Sequence, residues 1–303
     1  MSVFAVLNAS SGLFVGTCLV LGLAIGSFLN VVIYRLPLML DRQWREQCAE
    51  FTGNDSAAAT TPAVTLQKFN LVVPRSACPS CKAPITASQN IPLVSWLILG
   101  GRCASCKKAI SVRYPLIEAL TGALTAAVAW KFGFGWPALG GMVLSWFLVA
   151  LTFIDVDHQL LPDSLTLPLL WGGLLVSLWG AQVGSMAFPP DIRSSVIGAI
   201  AGYVSLWSVY HLFRSLTGKE GMGYGDFKLF AALGAWLGWQ MLVPLIMIAA
   251  VGGAVVGIIV LAVRRQNRAT PIAFGPFLAA AGWVMLMWGP QLVASYLHWF
   301  TRS

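Results

Sequence analysis

Long apolar runs, each close to the length that a helix needs to cross a membrane, constrain this chain more than any other feature. Short polar stretches separate them, and only 10% of the 303 residues are charged, whereas a soluble domain carries about a quarter. A helix needs about 20 apolar residues to cross a bilayer core. The pattern therefore predicts an all-α polytopic membrane protein.

Eight transmembrane helices are predicted along the chain. They lie near residues 12–34, 115–131, 136–154, 164–184, 194–213, 227–239, 241–263 and 272–298. The sixth segment is short, and the last is compatible with two pieces. This predicts three regions: a first transmembrane helix (1–34), a large polar loop (35–113) and a transmembrane bundle (114–303).

The distribution of positive charge predicts the orientation of these helices. The chain has a formal net charge of +8 and 19 Lys and Arg residues. With the N-terminus outside, only Lys131, Arg193 and Arg302 fall on the outer side, and the other 16 fall on the inner side. Inner loops of membrane proteins carry this excess. Topology thus explains the basicity, so the lipid bilayer is the predicted partner and nucleic acid is not.

The first apolar run is predicted to stay in the mature protein. Residues 1–12 contain no Lys or Arg, and the run continues to Arg35, unlike a signal peptide with a basic start. In the polar loop, residues 41–61 predict a short amphipathic helix followed by a mobile stretch. Residues 73–113 predict a small cytosolic subdomain.

Four cysteines in this subdomain have the spacing of a metal site. Cys78 and Cys81 form one C-x2-C pair, and after 21 intervening residues Cys103 and Cys106 form another. Two such turns can present four thiolates to a structural zinc ion. Disulfides and a redox C-x-x-C are the alternatives, although a cytosolic loop lies in a reducing compartment. Cys18 and Cys48 are interpreted as ordinary small residues.

Acidic residues near the ends of predicted spans are candidates for chemistry, because ionisable groups at membrane depth are costly. Only 11 residues are acidic, and Asp155, Asp157, Asp163 and Asp226 lie at such ends. Asp163 follows a proline and precedes a helix, which fits a helix cap. Asp157 fits the wetter connection. Asp155 ends an apolar span.

Asp226 follows Gly223 and Gly225, which allow close backbone approach. Asp155 and Asp226 both fall on the inner side, so a bundle can bring them together. Two carboxylates sharing one proton can hydrolyse a peptide bond: the charged one activates water and the protonated one donates to the scissile carbonyl. Capping at the membrane interface is the alternative reading.

Together these motifs resemble the bacterial type IV prepilin peptidases. The resemblance rests on residues 26–32 (Gly-Ser-Phe-Leu-Asn-Val-Val), the two C-x2-C pairs, residues 155–163 and the Gly-x-Gly-Asp at 223–226. Presenilin-like proteases share the last motif but lack the cysteine loop. The resemblance implies that Asp155 and Asp226 are catalytic and that the four cysteines form the family's cytosolic loop.

The resemblance also implies a bifunctional enzyme of the bacterial inner membrane, with its active site on the cytosolic side. Members cleave the leader of prepilins and pseudopilins after a glycine, then N-methylate the new N-terminal residue with S-adenosylmethionine. Components of a pilus or secretion assembly are further partners that this admits.

The sequence does not locate the methyl-donor site clearly, because no Rossmann-type glycine fingerprint is present. Gly101 and Arg102, in Gly100-Gly101-Arg102, are the nearest family-like segment. The alternative is that these glycines form only the turn into the second cysteine pair.

Two other classes of function remain open. A transporter could use Asp155 and Asp226 as a cation site in broken helices, but this leaves the cysteine loop unexplained. A scaffold subunit with a zinc interaction module leaves the aspartates without a role.

Overall fold

The chain is helical throughout its regular structure. A computed structural model describes residues 3–52, 69–78, 80–86, 88–180, 187–219, 221–264 and 273–302. In these ranges the extended pairing consists of two isolated bridges, Ala77 with Pro84 and Arg102 with Ala109. The predicted all-α class is confirmed. The helices, numbered here in chain order, are α1 (Val3–Ala9), α2 (Ser11–Thr52), α3 (Val94–Ile98), α4 (Arg113–Phe132), α5 (Trp136–His158), α6 (Asp163–Ser177), α7 (Ile192–Thr217), α8 (Tyr224–Leu237), α9 (Leu242–Arg264) and α10 (Gly275–Arg302).

Five segments in the described ranges are long and apolar enough to cross a membrane. They are Ser11–Phe51, Trp136–His158, Ile192–Thr217, Trp239–Val260 and Gly275–Ser295. The other three predicted spans correspond to α4, α6 and α8. Helix α6 has 15 residues and α8 has 14; at about 1.5 Å per residue each falls short of a bilayer core of about 30 Å. The prediction of eight spans is therefore not confirmed.

The first long helix extends beyond the predicted membrane span. Helix α2 continues through Arg35 and Pro37 to Thr52, so the prediction of a separate amphipathic helix from residue 41 is wrong. The end of the membrane span at residue 34 stays a prediction. Arg35 is 7% exposed, because its guanidinium donates to the carbonyls of Asn70 and Pro74 at 3.0 and 2.6 Å. Its charge is therefore satisfied within the protein. Residues 53–61 of the predicted mobile stretch lie outside the described residues.

The chain forms two compact units. The α2–α4 unit comprises residues 16–126, and the bundle unit comprises residues 1–15 with 127–303. In the α2–α4 unit, small residues let α2 and α4 approach closely. A Cβ at Gly22 would lie 2.6 Å from Thr125 Oγ1, and one at Gly26 would lie 2.7 Å from the Cα of Glu118. Small residues at this spacing are typical of helix packing in membranes.

Helix α8 is the centre of the bundle unit. Every residue from Asp226 to Leu237 except the half-buried Lys228 is buried. Gly198 of α7 and Gly234 of α8 approach so closely that neither position has room for a Cβ. On another side, Trp236 Nε1 donates to the carbonyl of Leu169 in α6 at 2.7 Å. These contacts fix the rotation of α8 and with it the direction of its first turn.

Candidate active site and metal site

Asp155 lies in the last turn of α5 and is 5% exposed. The helix ends just after it, at His158. Gln159 then adopts a left-handed conformation (φ 51°), and its amide donates to the Asp155 carbonyl at 2.9 Å. This is the local hydrogen bond that closes a helix C-terminus. The buried carboxylate therefore sits where the chain turns towards α6.

The first residue of α10 lies against this carboxylate. The backbone of Gly275 approaches the Asp155 carboxylate closely. A Cβ at Gly275 would lie 2.5 Å from Asp155 Oδ2 and 3.2 Å from its Cγ, so only glycine fits. Oδ2 itself is buried and has no hydrogen-bond partner among the described residues. The first turn of α10 therefore presents its backbone to this carboxylate.

Asp226 occupies the third position of α8 and is 8% exposed. Gly223 is the residue before the helix. The amide of Asp226 donates to the Gly223 carbonyl at 3.2 Å, and the Gly223 amide hydrogen-bonds to the Asp226 side chain. A third-position acid that reaches back in this way forms half of a capping box. The Gly-x-Gly-Asp motif thus orients Asp226 by local backbone contacts.

Leu161 packs where the two acidic segments meet. A Cβ at Gly225 would lie 2.7 Å from Leu161 Cβ, and one at Gly275 would lie 3.2 Å from Leu161 Cδ1. Leu161 therefore contacts the first turns of both α8 and α10. Gly275 lies against the Asp155 carboxylate, and Gly225 directly precedes Asp226. The structure brings the two predicted carboxylates into one buried region.

The other two acidic residues of the predicted cluster lie outside this buried region. Asp157 is exposed. Asp163 is the first residue of α6 rather than its cap, because Pro162 occupies the cap position without a side-chain bond. The Asp163 carboxylate instead holds Lys228 Nζ, at 2.6 and 2.8 Å. The prediction that Asp163 caps this helix is wrong, and the ion pair links α6 to α8.

The four predicted cysteines meet in the α2–α4 unit. The Sγ atoms of Cys78, Cys81, Cys103 and Cys106 all lie within 4.8 Å of one another. Cys78 and Cys106 are 3.8 Å apart at sulfur, and Cys81 and Cys103 are 3.9 Å apart. Zinc–sulfur bonds of about 2.3 Å in a tetrahedron place sulfurs about 3.8 Å apart. The four side chains are therefore close enough to hold one metal ion, and no disulfide links the described cysteines.

The two cysteine turns have the same backbone geometry. In the first, the Cys78 amide donates to the Ala83 carbonyl and the Lys82 amide to the Cys78 carbonyl, both at 2.9 Å. In the second, Cys103 donates to Lys108 at 2.9 Å and Lys107 to Cys103 at 3.0 Å. Lys82 and Lys107 both have positive φ, 58° and 59°. The site is thus built from two equivalent turns that face each other.

The electrostatics of these thiols favour a cation. The amides of Cys81 and Ser80 donate to the Cys78 sulfur and lower the pKa of its thiol to about 6. The amides of Cys106 and Ser105 lower the pKa of Cys103. For Cys81, the Ala83 amide also donates, but desolvation and the neighbouring sulfurs raise its pKa to about 11. Four sulfurs this close cannot all ionise unless a cation offsets their repulsion.

Gly101 and Arg102, the predicted methyl-donor residues, lie in the turn after α3. Gly100 and Gly101 have φ of 60° and 67°. The Trp96 ring fills the space beside Gly101, where a Cβ would lie 2.9 Å from it. Arg102 is exposed, and its backbone bridges to Ala109 of the second cysteine turn. Gly101 thus accommodates a tryptophan of the chain itself.

Two contact positions at this junction were not predicted individually. Leu161 lies inside the motif at residues 155–163, but no feature of the sequence distinguishes it there. Gly275 lies in the segment 271–276 (Pro-Ile-Ala-Phe-Gly-Pro), which the sequence places on the same face as the two aspartates without assigning it a contact to Asp155. Both contacts join residues far apart in the chain, so local patterns do not reveal them.

Comparisons with known proteins cover both units. The family model of the bacterial peptidase A24 N-terminal domain matches residues 20–132, which include the four cysteines. The model of the type IV leader peptidase family matches residues 142–258, which include Asp155 and Asp226. No solved structure gives a significant match.

Several curated proteins are similar to this chain over nearly their whole length. A protein of Stutzerimonas stutzeri is 52% identical over 285 residues, 94% of each chain. One from Aeromonas salmonicida (strain A449) is 53% identical over 91% of each chain. One from Neisseria gonorrhoeae is 47% identical over 93% of each chain. All three are named prepilin leader peptidase/N-methyltransferase.

Proposed function

The chain belongs to the type IV leader peptidase family, and we propose that it is a membrane aspartic endopeptidase whose catalytic pair is Asp155 and Asp226. Its substrates are type IV prepilins or pseudopilins, cleaved after a glycine at the cytosolic face of the membrane. The observation that carries the proposal is the burial of these two carboxylates, 5% and 8% exposed, at one junction where Leu161 packs against both Gly225 and Gly275.

The chemistry follows from one proton held between two carboxylates. The ionised carboxylate takes a proton from a water molecule, and the resulting hydroxide attacks the carbonyl carbon after the glycine. The protonated carboxylate gives its proton to the carbonyl oxygen. In the tetrahedral intermediate, a hydroxyl proton returns to the second carboxylate, the first protonates the leaving nitrogen, and the C–N bond breaks. Both carboxylates recover their starting states, as a catalyst requires.

The two glycines of the Gly-x-Gly-Asp motif serve this reaction differently. Gly225 has no room for a Cβ because Leu161 packs against it. At Gly223 a Cβ would meet only Asp226 Oδ2, at 3.8 Å. The space beside Gly223 is therefore open, and an extended substrate backbone can approach Asp226 from this side. The tight glycine positions the acid, and the open glycine admits the peptide.

The second activity is N-methylation of the new N-terminal residue. S-adenosylmethionine supplies the methyl group in this reaction. Gly101 and Arg102 remain the residues proposed to bind it. Trp96 occupies the space at Gly101, so Arg102, which is exposed, is the side chain available to an anionic carboxylate of the donor. No described cavity supports a closer placement.

The four-cysteine site is proposed to bind zinc in a structural role. Cys78, Cys81, Cys103 and Cys106 would complete a tetrahedron without an open position, which is the arrangement of structural sites. The sulfur separations of 3.8 and 3.9 Å support this ion size. Bound zinc would hold the two cysteine turns together, and α3 lies in the segment between them.

The proposed cellular place is the bacterial inner membrane, with several spans and with the large loop on the cytosolic side. The charge asymmetry of the sequence supports this orientation. Components of a pilus or secretion assembly are the further partners proposed, because the substrates are subunits of such assemblies.

A cleavage assay tests the proposal directly. The purified full-length chain is incubated in detergent with a leader-bearing prepilin, and the products are weighed by mass spectrometry. We expect cleavage after glycine, and an added methyl group only when S-adenosylmethionine is present. Cleavage that persists when Asp155 and Asp226 are both Asn, or that a chelator abolishes at once, would contradict an aspartic mechanism.

A further inference from the structure

The segment between the two cysteine pairs lies beside the apolar part of α2. A cleft of about 290 Å3 is lined by Ala24, Ser27, Phe28, Val31, Asn90 and Pro92. The first four belong to the candidate membrane span of α2. Asn90 and Pro92 belong to the connection that leads into α3. The connection therefore reaches a level of α2 where the helix is built to meet lipid.

Glu118 of α4 holds the connection at this position along α2. Its carboxylate accepts a hydrogen bond from the Leu93 amide at 2.8 Å, and Glu118 is only 9% exposed. A Cβ at Gly26 would lie 2.7 Å from the Cα of Glu118. Leu93, Glu118 and Gly26 thus lie side by side. At about 1.5 Å per residue, Gly26 is about 13 Å along α2 from Arg35.

The part of the loop before the first cysteine turn lies at the level of Arg35. The Arg35 guanidinium binds the carbonyls of Asn70 and Pro74, which precede that turn. Compared with these residues, the connection at Leu93 is displaced about 13 Å towards the apolar middle of α2. The chain then returns towards the polar side, because the Tyr114 carbonyl at the start of α4 accepts from Asn30, about 6 Å along α2 from Gly26.

The amino-acid composition of the segment around α3 suits a position within the membrane. Residues 83–101 contain no charged side chain, although Lys82 and Arg102 flank them directly. Val94, Leu97 and Ile98 share one face of α3 and are 48, 68 and 79% exposed. Ile91 is 48% exposed. Apolar side chains this exposed, in a segment framed by cations, suit acyl chains bordered by anionic headgroups.

Polar backbone groups of this segment have hydrogen-bond partners within the protein. Non-helical backbone at membrane depth needs protein partners for its polar groups. The Leu93 amide has Glu118, and the Ile91 carbonyl accepts from both the amide and the hydroxyl of Ser95, at 3.2 and 2.8 Å. Pro92 has no amide to satisfy. The buried Glu118 thus has a role that the peptidase chemistry does not use.

We propose that residues 91–98 form a re-entrant element that inserts into the lipid bilayer from the side of the four-cysteine site. The occupant of its exposed apolar face is the acyl-chain region of the membrane that α2 spans. Continuity with the lipid-facing surface of α2, which includes the 50% exposed Phe28, supports lipid over a second copy of the chain. The element fastens the metal-binding loop to the membrane surface.

Spin-label accessibility in lipid vesicles tests this. A ketone-bearing amino acid at Leu97 or Ile98 is labelled with a hydroxylamine nitroxide, which spares the cysteines, in the full-length protein in vesicles containing anionic lipid. Val20, 65% exposed in α2, is the lipid control, and the exposed Lys107 is the water control. We expect positions 97 and 98 to collide with oxygen and exclude a water-soluble nickel chelate, as position 20 does.

Every other pattern of accessibility overturns the proposal. Nickel access at 97 and 98 equal to that at 107 places the segment in water. Protection from both reagents places it under protein, such as a second copy or a bound substrate. In a second measurement, Glu118→Leu leaves the Leu93 amide unpaired and is expected to raise nickel access at 97 towards the value at 107. Glu118→Gln keeps an acceptor and is expected to leave the profile unchanged.

Discussion

The backbone of Gly275 lies against the carboxylate of Asp155: a Cβ at position 275 would come within 2.5 Å of Oδ2. Asp155 is thus held between the end of its own helix and the beginning of α10, which follows it by 120 residues. The contact gives the backbone of Gly275 a role in positioning the carboxylate, and it explains why this helix begins with glycine.

Replacing Gly275 with Ala is expected to lower kcat for leader cleavage by about 10²-fold, because a shift of the carboxylate by roughly an ångström costs that much. KM should change little, since the substitution acts on the carboxylate. Gly252→Ala is the matched control, because a Cβ there meets only Phe277, at an ordinary 3.6 Å. Equal kcat values for Gly275→Ala and Gly252→Ala would show that Gly275 does not position Asp155.

Asp155→Asn and Asp226→Asn are each expected to lower kcat by at least about 10³-fold, because an amide cannot cycle a proton. The double variant should be no slower than either single variant, since the two carboxylates act as one unit. Asp157→Asn and Asp163→Asn should retain most activity; the exposed Asp163–Lys228 pair contributes at most about 1 kcal/mol to stability. Initial rates on a leader-bearing substrate measure all five variants, and near-normal cleavage by either Asp155→Asn or Asp226→Asn would refute the pair.

Leu161→Ala is expected to destabilise the bundle by about 2–4 kcal/mol, as the loss of a buried leucine does, and to slow cleavage as well. Leu161 contacts the first turns of α8 and α10, so its loss loosens the spacing of the two carboxylates. Thermal unfolding in detergent and kcat report the two effects. Leu160→Ala, at a half-buried neighbour, is the control; a variant at 161 that loses stability but keeps full kcat would show that Leu161 is only a packing residue.

Purified protein is expected to contain about one zinc per chain, because four thiolates make a closed site. Cys78→Ser should lose the metal and expose the polar loop to protease, since metal binding supplies folding free energy there, while the bundle unit keeps its helicity. Cys48→Ser, at an exposed position outside the cluster, should keep the zinc. Elemental analysis measures the zinc content, and wild-type protein without zinc would contradict the proposed zinc site.

Membrane orientation can be checked residue by residue. From the excess of inner positive charge we expect Lys107 to be cytosolic and Gly133 and Pro190 to be periplasmic. Reporter fusions at the three positions measure this in intact cells. A periplasmic signal at 107 would invert the orientation and place the cysteines in an oxidising compartment.

Local chemistry made much of the site predictable from sequence. The cysteines were found because ligand spacing within each turn is a local property, and Gly223 orients Asp226 through its own first helical turn. The approach of Asp155 to Asp226 required only that both lie at the same side of a bundle. Their catalytic role stays a prediction until the variants are measured.

Long-range packing set the limits of that prediction. Arg35 was interpreted as the end of the first span because cations favour the interface. Its side chain is buried and donates to carbonyls of residues 70 and 74, and α2 continues to Thr52. Likewise α8 is apolar enough to suggest a span, but with 14 residues it is a buried core helix. Neither partner set could be read from the neighbouring sequence.

The burial of most of α8 also bears on how the enzyme is made. A 14-residue helix that carries Asp226 has no stable place in lipid alone, so it must enter the membrane together with its neighbours. Asp155 meets the backbone of Gly275 only after 120 further residues have been made. A nascent chain shorter than this lacks the contact that holds Asp155, so the proposed catalytic pair is not yet assembled.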